Sequence, residues 1–300
     1  MKDVYTAEDI AELSAPWVLN GKQVRLGVIG NPIAHSKSPQ MQQAALDAAG
    51  VNAAYVRLLA CKEEGSFESL LSKLHDKGFI GVNVTVPFKT QAFAAAVQRD
   101  ALCELCGAAN TLKKEADGWH AYNTDGPGFS QAVRELCGKG LGELNIVILG
   151  ACGGAGSALA CQCALEKCPS LVLVNRPKRA LHERTAQLRG IAGEESVRAL
   201  TFESRGLRAA VEAADLIVNA TSLGLKEGDA LPLPPEWLRP GQAVYDIVTH
   251  GTPFRQAAEA AGCKADNGLS MLLWQGAYAF EHWFGTLPSV AAMREALLHA

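Results

Sequence analysis

The sequence predicts an α/β protein of two domains, and three observations point to that class. The chain has 300 residues, which is enough for two domains of ordinary size. Short apolar runs alternate with helical stretches, a pattern typical of helices that connect the strands of a parallel sheet. A glycine cluster follows one continuous apolar run at residues 145–149, which indicates that a second strand–helix series begins there.

The first series of elements lies before about residue 125. Its expected strands cover residues 24–29, 55–58, 81–85, 111–113 and 120–122. Its expected helices cover about residues 39–49, 67–77 and 89–96. Ser38 is the expected N-cap of the first helix, with Pro39 as its first residue. The triplet at residues 126–128, Gly-Pro-Gly, interrupts the pattern and marks the expected domain boundary.

The second series begins at residue 145. Its expected strands cover residues 145–149, 171–174, 199–202, 216–219 and 243–247. One helix is expected from the glycine cluster to about residue 167, and a last one at about residues 271–283. The pattern along the sequence is compatible with a place for the last helix in either domain.

Composition argues against several classes of protein. Hydrophobic residues make up 48% of the chain and charged residues 20%, which is typical of a soluble globular protein. No apolar run reaches the roughly 18 residues of a membrane-spanning helix. The net charge of -3 argues against a nucleic-acid-binding protein, which usually carries a basic surplus. We therefore expect neither a membrane nor a nucleic acid as a partner.

The nine cysteines indicate a reducing compartment, because their number is odd and residues 1–20 resemble neither a signal peptide nor a transit peptide. We expect free thiols and a cytoplasmic protein. Cys103 and Cys106 have the spacing of half a zinc site, but no suitable pair of further ligands accompanies them. Small buried apolar residues are the simpler interpretation, and we expect no metal.

The glycine cluster has the character of a phosphate-binding loop. A dinucleotide-binding turn needs glycines for a tight turn, for close approach to pyrophosphate and for helix–strand contact. Gly153 and Gly156 match the second and third of these glycines, but Ala151 occupies the first position, so the strict pattern is absent. A plain strand–helix turn is the alternative. The candidate cofactor-binding residues here are Gly150, Gly153, Gly154, Ala155 and Gly156.

The end of the next strand indicates which dinucleotide is bound. An Asp or Glu there would bond the ribose 2′-hydroxyl of NAD. This chain instead has Asn175, Arg176, Lys178 and Arg179, whose cations suit the 2′-phosphate of NADP. A solvated basic turn is the alternative. We predict a Rossmann-type domain that binds NADP, with NAD as the less favoured cofactor.

Polar residues cluster at the strand ends of the first domain and once near the C-terminus. Short hydroxyls, amides, one lysine and one aspartate suit a small polyhydroxylated ligand with an acid group. Two serines before a helix also form a natural carboxylate site. Taken singly, each cluster is also compatible with a turn or a helix cap. The residues are Ser36, Ser38, Asn83, Thr85, Lys89, Asn110, Asp125 and Gln275.

Together these clusters resemble the motifs of the shikimate dehydrogenase family, which includes shikimate and quinate dehydrogenases. The resemblance runs from about residue 24 to the end of the chain. It rests on ordered motifs at residues 30–39, 83–89, 109–111, 123–126, 219–224 and 271–277.

The resemblance implies a reversible, NADP-linked interconversion of 3-dehydroshikimate and shikimate, a step of aromatic amino acid biosynthesis through chorismate. It implies that Ser36 and Ser38 hold the substrate carboxylate and that Lys89 and Asp125 form the catalytic pair. The implied contacts of the ring hydroxyls are Asn83, Thr85, Asn110 and Gln275, and further implied cofactor contacts are Thr221 and Gly268.

The resemblance also implies the domain organisation. A substrate-binding α/β domain covers residues 1–125 and is completed by the C-terminal helices of 267–300. A Rossmann domain covers residues 126–266. We expect a monomer or a homodimer.

Several departures from the family pattern indicate a divergent member. Thr249 lies in a segment where the family has Tyr-Asn-Pro. Residues 40–43 read Gln-Met-Gln-Gln where His-Asn is usual, and residues 1–21 form an extension. One alternative is therefore a quinate/shikimate dehydrogenase that uses NAD or either cofactor. Another is a low-turnover, ligand-binding paralogue with a regulatory role. An enzyme like methylene-tetrahydrofolate dehydrogenase shares the two-domain outline, but the motifs at 83–89 and 123–126 disfavour it.

Overall fold

A computed structural model describes residues 2–177 and 179–300. The strands in this part of the chain are β1 (Val4–Tyr5), β2 (Val18–Leu19), β3 (Lys22–Gly30), β4 (Ala53–Leu59), β5 (Gly81–Val84), β6 (Gln98–Arg99), β7 (Thr111–Glu115), β8 (Gly118–Tyr122), β9 (Asn145–Leu149), β10 (Ser170–Val174), β11 (Val197–Leu200), β12 (Leu216–Asn219), β13 (Ala243–Asp246) and β14 (Lys264–Asn267).

The helices in the same part of the chain are α1 (Ala7–Glu12), α2 (Ser38–Ala48), α3 (Ser66–Asp76), α4 (Lys89–Ala95), α5 (Ala101–Cys106), α6 (Asp125–Cys137), α7 (Gly154–Leu165), α8 (Arg179–Ala192), α9 (Leu207–Ala213), α10 (Pro253–Ala260), α11 (Leu269–Phe284) and α12 (Val290–Leu298). The chain divides into two compact units. The first comprises residues up to 124 together with 273–300, and the second comprises 125–272.

The described residues of the first unit form an eight-stranded sheet in the order β1-β4-β3-β5-β7-β8-β6, with β2 paired to β3. The expectation of a wholly parallel sheet is wrong for this unit, because β2 runs antiparallel to β3 and β7 runs antiparallel to both β5 and β8. The pairs β2–β3 and β7–β8 are joined by the two-residue connections 20–21 and 116–117, and only antiparallel strands can be joined by so tight a turn.

The N-terminal segment belongs to the first unit rather than forming a mere extension. Strand β1 adds to the edge of β4 in parallel register, with Val4 opposite Arg57. Ile10 and Trp17 are buried in the same hydrophobic cluster as Phe67 and Val82. Burial of these side chains stabilises the segment against the sheet by about 2–3 kcal/mol each.

Helix α11 covers part of the same sheet. The Trp283 indole Nε1 donates to the Leu112 carbonyl at 3.1 Å, and the ring lies over Gly81. A Cβ at position 81 would overlap the indole, so only glycine leaves room for the ring there. The C-terminal helices therefore complete the core that the N-terminal strands begin.

The second unit contains a fully parallel sheet in the order β11-β10-β9-β12-β13-β14. In chain order this is 3-2-1-4-5-6, the strand order of dinucleotide-binding sheets. Its expected strands at residues 145–149 and 216–219 match β9 and β12 in full, whereas β11 begins two residues before its expected start. Val147, Val172, Ile217 and Val244 are buried in one hydrophobic cluster along the sheet.

Two helix starts differ from the expectation. The N-cap of α2 is Lys37, without a side-chain capping bond, and the hydroxyl that accepts a backbone N–H in this turn belongs to Ser36 rather than Ser38. Residues 126–128 do not interrupt the structure but lie in the first turn of α6. Proline fits there because the first turn of a helix makes no use of its missing N–H.

Candidate active site

The polar residues of the first unit gather at one edge of its sheet. Strands β3 and β5 are parallel neighbours, so the segments that follow them leave the sheet at the same edge. Ser36 follows β3 and Thr85 follows β5. Asn110 immediately precedes β7, which runs antiparallel to β5, and its carbonyl accepts a hydrogen bond from the Val84 N–H at 2.8 Å. The sheet topology thus brings three distant sequence motifs together.

The serine pair forms the turn that leads into α2. The Ser36 N–H donates to the Ile33 carbonyl at 3.0 Å, and the Ser38 N–H donates to the Ser36 hydroxyl at 3.3 Å. Ser38 is buried and Ser36 is half-buried. The positive end of the α2 dipole lies at this turn, and such a position favours an anion.

A network of buried amides and hydroxyls lies beside the serine turn on the same edge. The Asn110 side-chain amide donates to Gln275 Oε1 at 3.3 Å and to Thr124 Oγ1 at 3.0 Å. Asn83 Nδ2 donates to Thr111 Oγ1 at 3.1 Å, and the Tyr55 hydroxyl donates to Asn83 Oδ1 at 2.8 Å. Asn83 Nδ2 also lies 3.3 Å from the Asn110 carbonyl oxygen, to which it donates, so the predicted residues Asn83, Asn110 and Gln275 belong to one connected set.

Thr85 and Lys89 are positioned by backbone bonds around the turn between β5 and α4. The Thr85 N–H donates to the Ile29 carbonyl at 2.8 Å, and the Thr85 carbonyl accepts from the Phe88 N–H at 3.0 Å. Lys89 is the first residue of α4, and its carbonyl accepts from the Ala109 N–H at 2.9 Å. Both side chains are half-buried. Asp125 is the first residue of α6 and is buried.

The second unit contains a cavity of about 590 Å³ at the carboxyl edge of its parallel sheet. Its lining includes five of the predicted cofactor-binding residues, namely Gly150, Gly153, Asn175, Arg176 and Thr221. The lining also includes residues that the sequence analysis did not select, namely Cys152, Phe202, Ala220, Ser222, Leu223, Leu231 and Pro232. Of these, Phe202 could have been found from its place just after a strand, since ligands bind at carboxyl strand ends.

Five further predicted cofactor residues are not part of this lining: Gly154, Ala155, Gly156, Arg179 and Gly268. Arg179 is 91% exposed and pairs with Glu183 at 2.5 Å. Gly268 lies where a Cβ would overlap the Ile247 carbonyl, and its N–H donates to the Val248 carbonyl at 3.0 Å. The prediction for Lys178 falls outside the described residues.

The glycine loop packs the first turn of α7 tightly against the end of β9. Gly150 has a φ of +81°, which side-chain-bearing residues rarely adopt. A Cβ at Gly156 would overlap the carbonyl oxygen of Gly150, a backbone atom that cannot rotate away as a flexible side chain could. By contrast, a Cβ at Gly154 would meet nothing within 4 Å. Gly156 therefore serves the close helix–strand contact that a dinucleotide-binding turn requires.

The buried carboxylate of Asp246 connects the loops after β12 and β13 by hydrogen bonds, and no motif in the sequence indicated it. Asp246 has no exposed surface and accepts hydrogen bonds from Asn219 Nδ2 at 3.1 Å, the Val248 N–H at 3.2 Å and the Thr252 hydroxyl at 2.7 Å. Asn219 Oδ1 in turn accepts from the Thr221 hydroxyl at 2.7 Å. Asp246 thereby helps to fix Thr221 in the cavity wall. No local signal marked it, because Asp246 is the last residue of β13 and a single charged residue at a strand position has no distinctive pattern.

Cys103 and Cys106, the cysteine pair of the first unit, are buried in the protein interior. Burial and the neighbouring Asp100 raise the pKa of the Cys103 thiol. Cys106 Sγ donates to the Ala108 carbonyl at 3.3 Å and accepts from Asn123 Nδ2 at 3.2 Å. All nine cysteines are free. Within residues 2–177 and 179–300, no cluster of three or more His, Cys, Asp or Glu side chains is arranged to hold a metal ion.

Burial also raises the pKa of Tyr245, whose ring packs edge-on against Phe129. Its hydroxyl accepts from the Met271 N–H at 2.9 Å and lies 2.8 Å from Ser270 Oγ. The neutral phenol thus holds the first turn of α11 beside β13.

None of the helices in the described residues is both long enough and apolar enough to span a bilayer.

The strand order, the glycine turn and the cavity beside Arg176 define the second unit as a dinucleotide-binding domain of the kind that oxidoreductases use. Two family descriptions match the chain: the shikimate dehydrogenase substrate binding domain at residues 28–112, and the shikimate 5′-dehydrogenase C-terminal domain at residues 268–298. The shikimate dehydrogenase (NADP(+)) of Moorella thermoacetica is 40% identical over 278 residues, which are 92% of this chain and 92% of that enzyme. The chain belongs to the shikimate dehydrogenase family.

Solved structures agree with this assignment. The shikimate 5-dehydrogenase of Thermus thermophilus, in complex with NADP(H) and shikimate, is 33% identical with a TM-score of 0.78. The match covers 92% of this chain and 99% of that one. Quinate dehydrogenase from Corynebacterium glutamicum, in complex with NAD, is 27% identical with a TM-score of 0.82. That match also covers 92% of this chain and 99% of the other.

Proposed function

We propose that this protein is an NADP-dependent shikimate dehydrogenase that reversibly reduces 3-dehydroshikimate to shikimate. The observation that carries the proposal is the 40% identity to the Moorella enzyme over 92% of both chains. The serine turn and the amide network support it, because they offer an anion site beside several donors and acceptors for hydroxyl groups. The step belongs to aromatic amino acid biosynthesis through chorismate.

The substrate contacts follow from these two features. Ser36 and Ser38 hold the carboxylate at the start of α2, where backbone N–H groups and the helix dipole favour a negative charge. Asn83, Thr85, Asn110 and Gln275 bond the ring hydroxyls. An amide network that is already connected before substrate binds loses little conformational freedom on binding, and this favours affinity.

Reduction of the ketone requires a hydride to carbon and a proton to oxygen, and bound NADPH supplies the hydride. Lys89 Nζ donates the proton to the ketone oxygen, and the Asp125 carboxylate orients the ammonium group and shares that proton. Lys89 follows the carboxyl end of β5. Asp125 is the first residue of α6, which follows β8 along the chain. In the oxidation direction the same pair removes the hydroxyl proton.

The second unit fits the dinucleotide. Its cavity is bordered by the glycine turn, and Gly156 leaves no side chain between α7 and β9. The glycine turn binds the pyrophosphate of the cofactor and comprises Gly150, Gly153, Gly154, Ala155 and Gly156. Thr221 borders the same cavity. Gly268 contributes from the turn before α11. Asn175 and Arg176 border the same cavity, and we assign them to the adenosine side, where Arg176 would pair with a 2′-phosphate. Arg179 is the weaker candidate because Glu183 neutralises it.

We expect Arg176→Ser to raise the KM for NADP by about 10- to 100-fold, since a hydrogen bond to a charged group contributes about 1.5–3 kcal/mol. The KM for NAD, which lacks the 2′-phosphate, should remain nearly constant. Steady-state kinetics with both cofactors measure this. Arg179→Ser is the matched control, and an equal loss in that variant would assign the 2′-phosphate to a shared pair of arginines.

We expect Gly156→Ala to weaken NADP binding by at least about tenfold, or 1.4 kcal/mol, because the helix must move away from the glycine turn. Gly190→Ala adds the same methyl group to helix α8 of the same unit, where space is open, and it should bind NADP like the parent protein. Titration of both variants by calorimetry compares them directly. Equal affinities would show that the close contact at Gly156 has no role in binding.

A quinate/shikimate dehydrogenase with NAD or relaxed cofactor use is the second candidate. Thr249, in the loop after β13, stands where the family pattern has tyrosine, and the neighbour from Corynebacterium glutamicum is a quinate dehydrogenase in complex with NAD. Arg176 in the cavity favours NADP over this alternative. A low-turnover, ligand-binding paralogue with a regulatory role is a third outcome of the same experiment.

The experiment is a matrix of initial rates with purified protein, in which shikimate and quinate are each combined with NADP and NAD. Absorbance of the reduced cofactor reports turnover. The highest kcat/KM is expected for shikimate with NADP. A higher value for quinate or NAD would favour the second candidate. Binding of shikimate by calorimetry without turnover on any pair would favour the regulatory paralogue.

The partners of the protein are small molecules: shikimate, 3-dehydroshikimate, the cofactor and, as a further candidate, quinate. We propose a monomer or a homodimer that binds neither nucleic acid nor membrane, in keeping with the net charge of -3. The nine free cysteines support a cytoplasmic location, where thiols remain reduced.

A further inference from the structure

Arg57 on strand β4 reaches the serine turn from the neighbouring strand. In the sheet register Arg57 lies opposite Val28 of β3, and the serine turn follows β3. Two of its guanidinium nitrogens donate to one acceptor, the Ser36 carbonyl, Nη2 at 2.7 Å and Nε at 3.1 Å. Nη2 also lies 3.1 Å from Gln40 Oε1, in the first turn of α2. The side chain therefore connects both sides of the turn that carries Ser36 and Ser38.

The charge of Arg57 is not neutralised by these contacts. Both of its acceptors are neutral oxygens, and no ion pair joins Arg57 to an acidic side chain in the part of the chain that the structure describes. A guanidinium group stays protonated under all ordinary conditions. A half-buried positive charge thus lies beside the serine turn, where it favours an anion.

We propose that Arg57 is a positioning residue for the substrate carboxylate, an inference that rests on the proposed function. It fixes the Ser36 backbone, so that the hydroxyl of Ser36 and the start of α2 face the carboxylate in one arrangement. Its charge adds a preference for an acid over a neutral group at that position. Arg57 is thus a determinant of substrate specificity that acts through the serine turn and does not touch the reacting carbon.

The test compares Arg57→Gln with the parent protein on shikimate and on its neutral methyl ester, with NADP as cofactor. The variant should raise the KM for shikimate by about 10- to 30-fold, a loss typical of one charge-assisted contact. Its kcat and its KM for NADP should stay within about threefold of the parent values. On the methyl ester the two proteins should differ by less than about threefold, because that substrate has no charge to recognise.

Two further variants separate positioning from a general structural role. Arg57→Lys keeps the charge and should recover part of the affinity for shikimate but none of the two-nitrogen contact with the Ser36 carbonyl. Arg25→Gln removes an arginine from the adjacent strand β3 and should leave the KM for shikimate unchanged. Thermal unfolding of all variants, without ligands, measures their stability.

The outcomes distinguish this inference from the proposed function. An inactive parent protein would overturn the proposed function itself. An active parent with an unchanged KM for shikimate in Arg57→Gln would overturn only the role of Arg57. An equal loss on shikimate and on the methyl ester would also overturn it, since that result indicates structural damage alone. A loss confined to shikimate, with partial recovery in Arg57→Lys, supports it.

Discussion

Lys89→Ala is expected to lower kcat for shikimate oxidation by about a hundred- to ten-thousandfold, which is the usual contribution of a positioned acid or base. The methyl side chain can neither remove the hydroxyl proton nor stabilise an alkoxide. The KM for shikimate should change much less, because the serine turn and the side chains of Asn110 and Gln275 remain in the variant. Rates in both directions with NADP and NADPH measure the effect.

Lys62→Ala is the matched control for this prediction, because Lys62 is an exposed lysine of the same unit. It should retain the kcat of the parent protein. If Lys89→Ala kept full turnover while binding shikimate normally, proton transfer would have to be assigned to another group. A fall in kcat that appeared equally in Lys62→Ala would indicate a nonspecific effect of lost charge.

The largest loss of stability is expected from Asp246→Ala. The substitution removes the acceptor of three buried hydrogen bonds, which come from the Asn219 amide, the Val248 N–H and the Thr252 hydroxyl. Each unsatisfied buried group costs about 1–3 kcal/mol, so we expect the free energy of unfolding to fall by about 3–5 kcal/mol. Thr221 loses its fixed neighbour Asn219, so NADP affinity should fall as well. Denaturant unfolding and cofactor titration measure the two effects.

Two further variants serve as comparisons for the loss of stability in Asp246→Ala. Asp246→Asn keeps one acceptor oxygen, so it should lose less stability than the alanine variant. Asp215→Ala removes a carboxylate that also accepts two hydrogen bonds, from the backbone and the side chain of Asn145, but this pair is exposed and water can replace it. Equal stability of Asp215→Ala and Asp246→Ala would contradict the importance assigned to burial.

The parts of the fold that could be predicted from the sequence are those with strong apolar patterns. Strands β9 and β12 are continuous apolar runs whose side chains are almost all buried, and their bounds were predicted correctly. Strand β14, Lys264–Asn267, was missed because it is polar and lies at the sheet edge, where pairing rather than burial makes the strand. The antiparallel pairing of β7 with β5 was missed because sequence spacing carries no strand direction across a sheet.

The candidate site also contains residues that could be predicted from the sequence and residues that could not. Residue types and motifs were enough to select Asn110 and Gln275, but not to show that they form a hydrogen bond across 165 positions of sequence. Asp246 and Arg57 were missed for a physical reason. Each acts through neighbours that the fold brings to it, and a single charged residue at a strand position has no distinctive local pattern.

The division of the chain into two units has a consequence for the order in which the units can fold during synthesis. Residues 125–272 form a unit that is continuous in sequence, so it can fold as soon as its last strand has left the ribosome. The first unit is discontinuous, and its sheet receives Trp283 over Gly81 only from the final stretch of chain. The part that is synthesised first is therefore the part that is completed last.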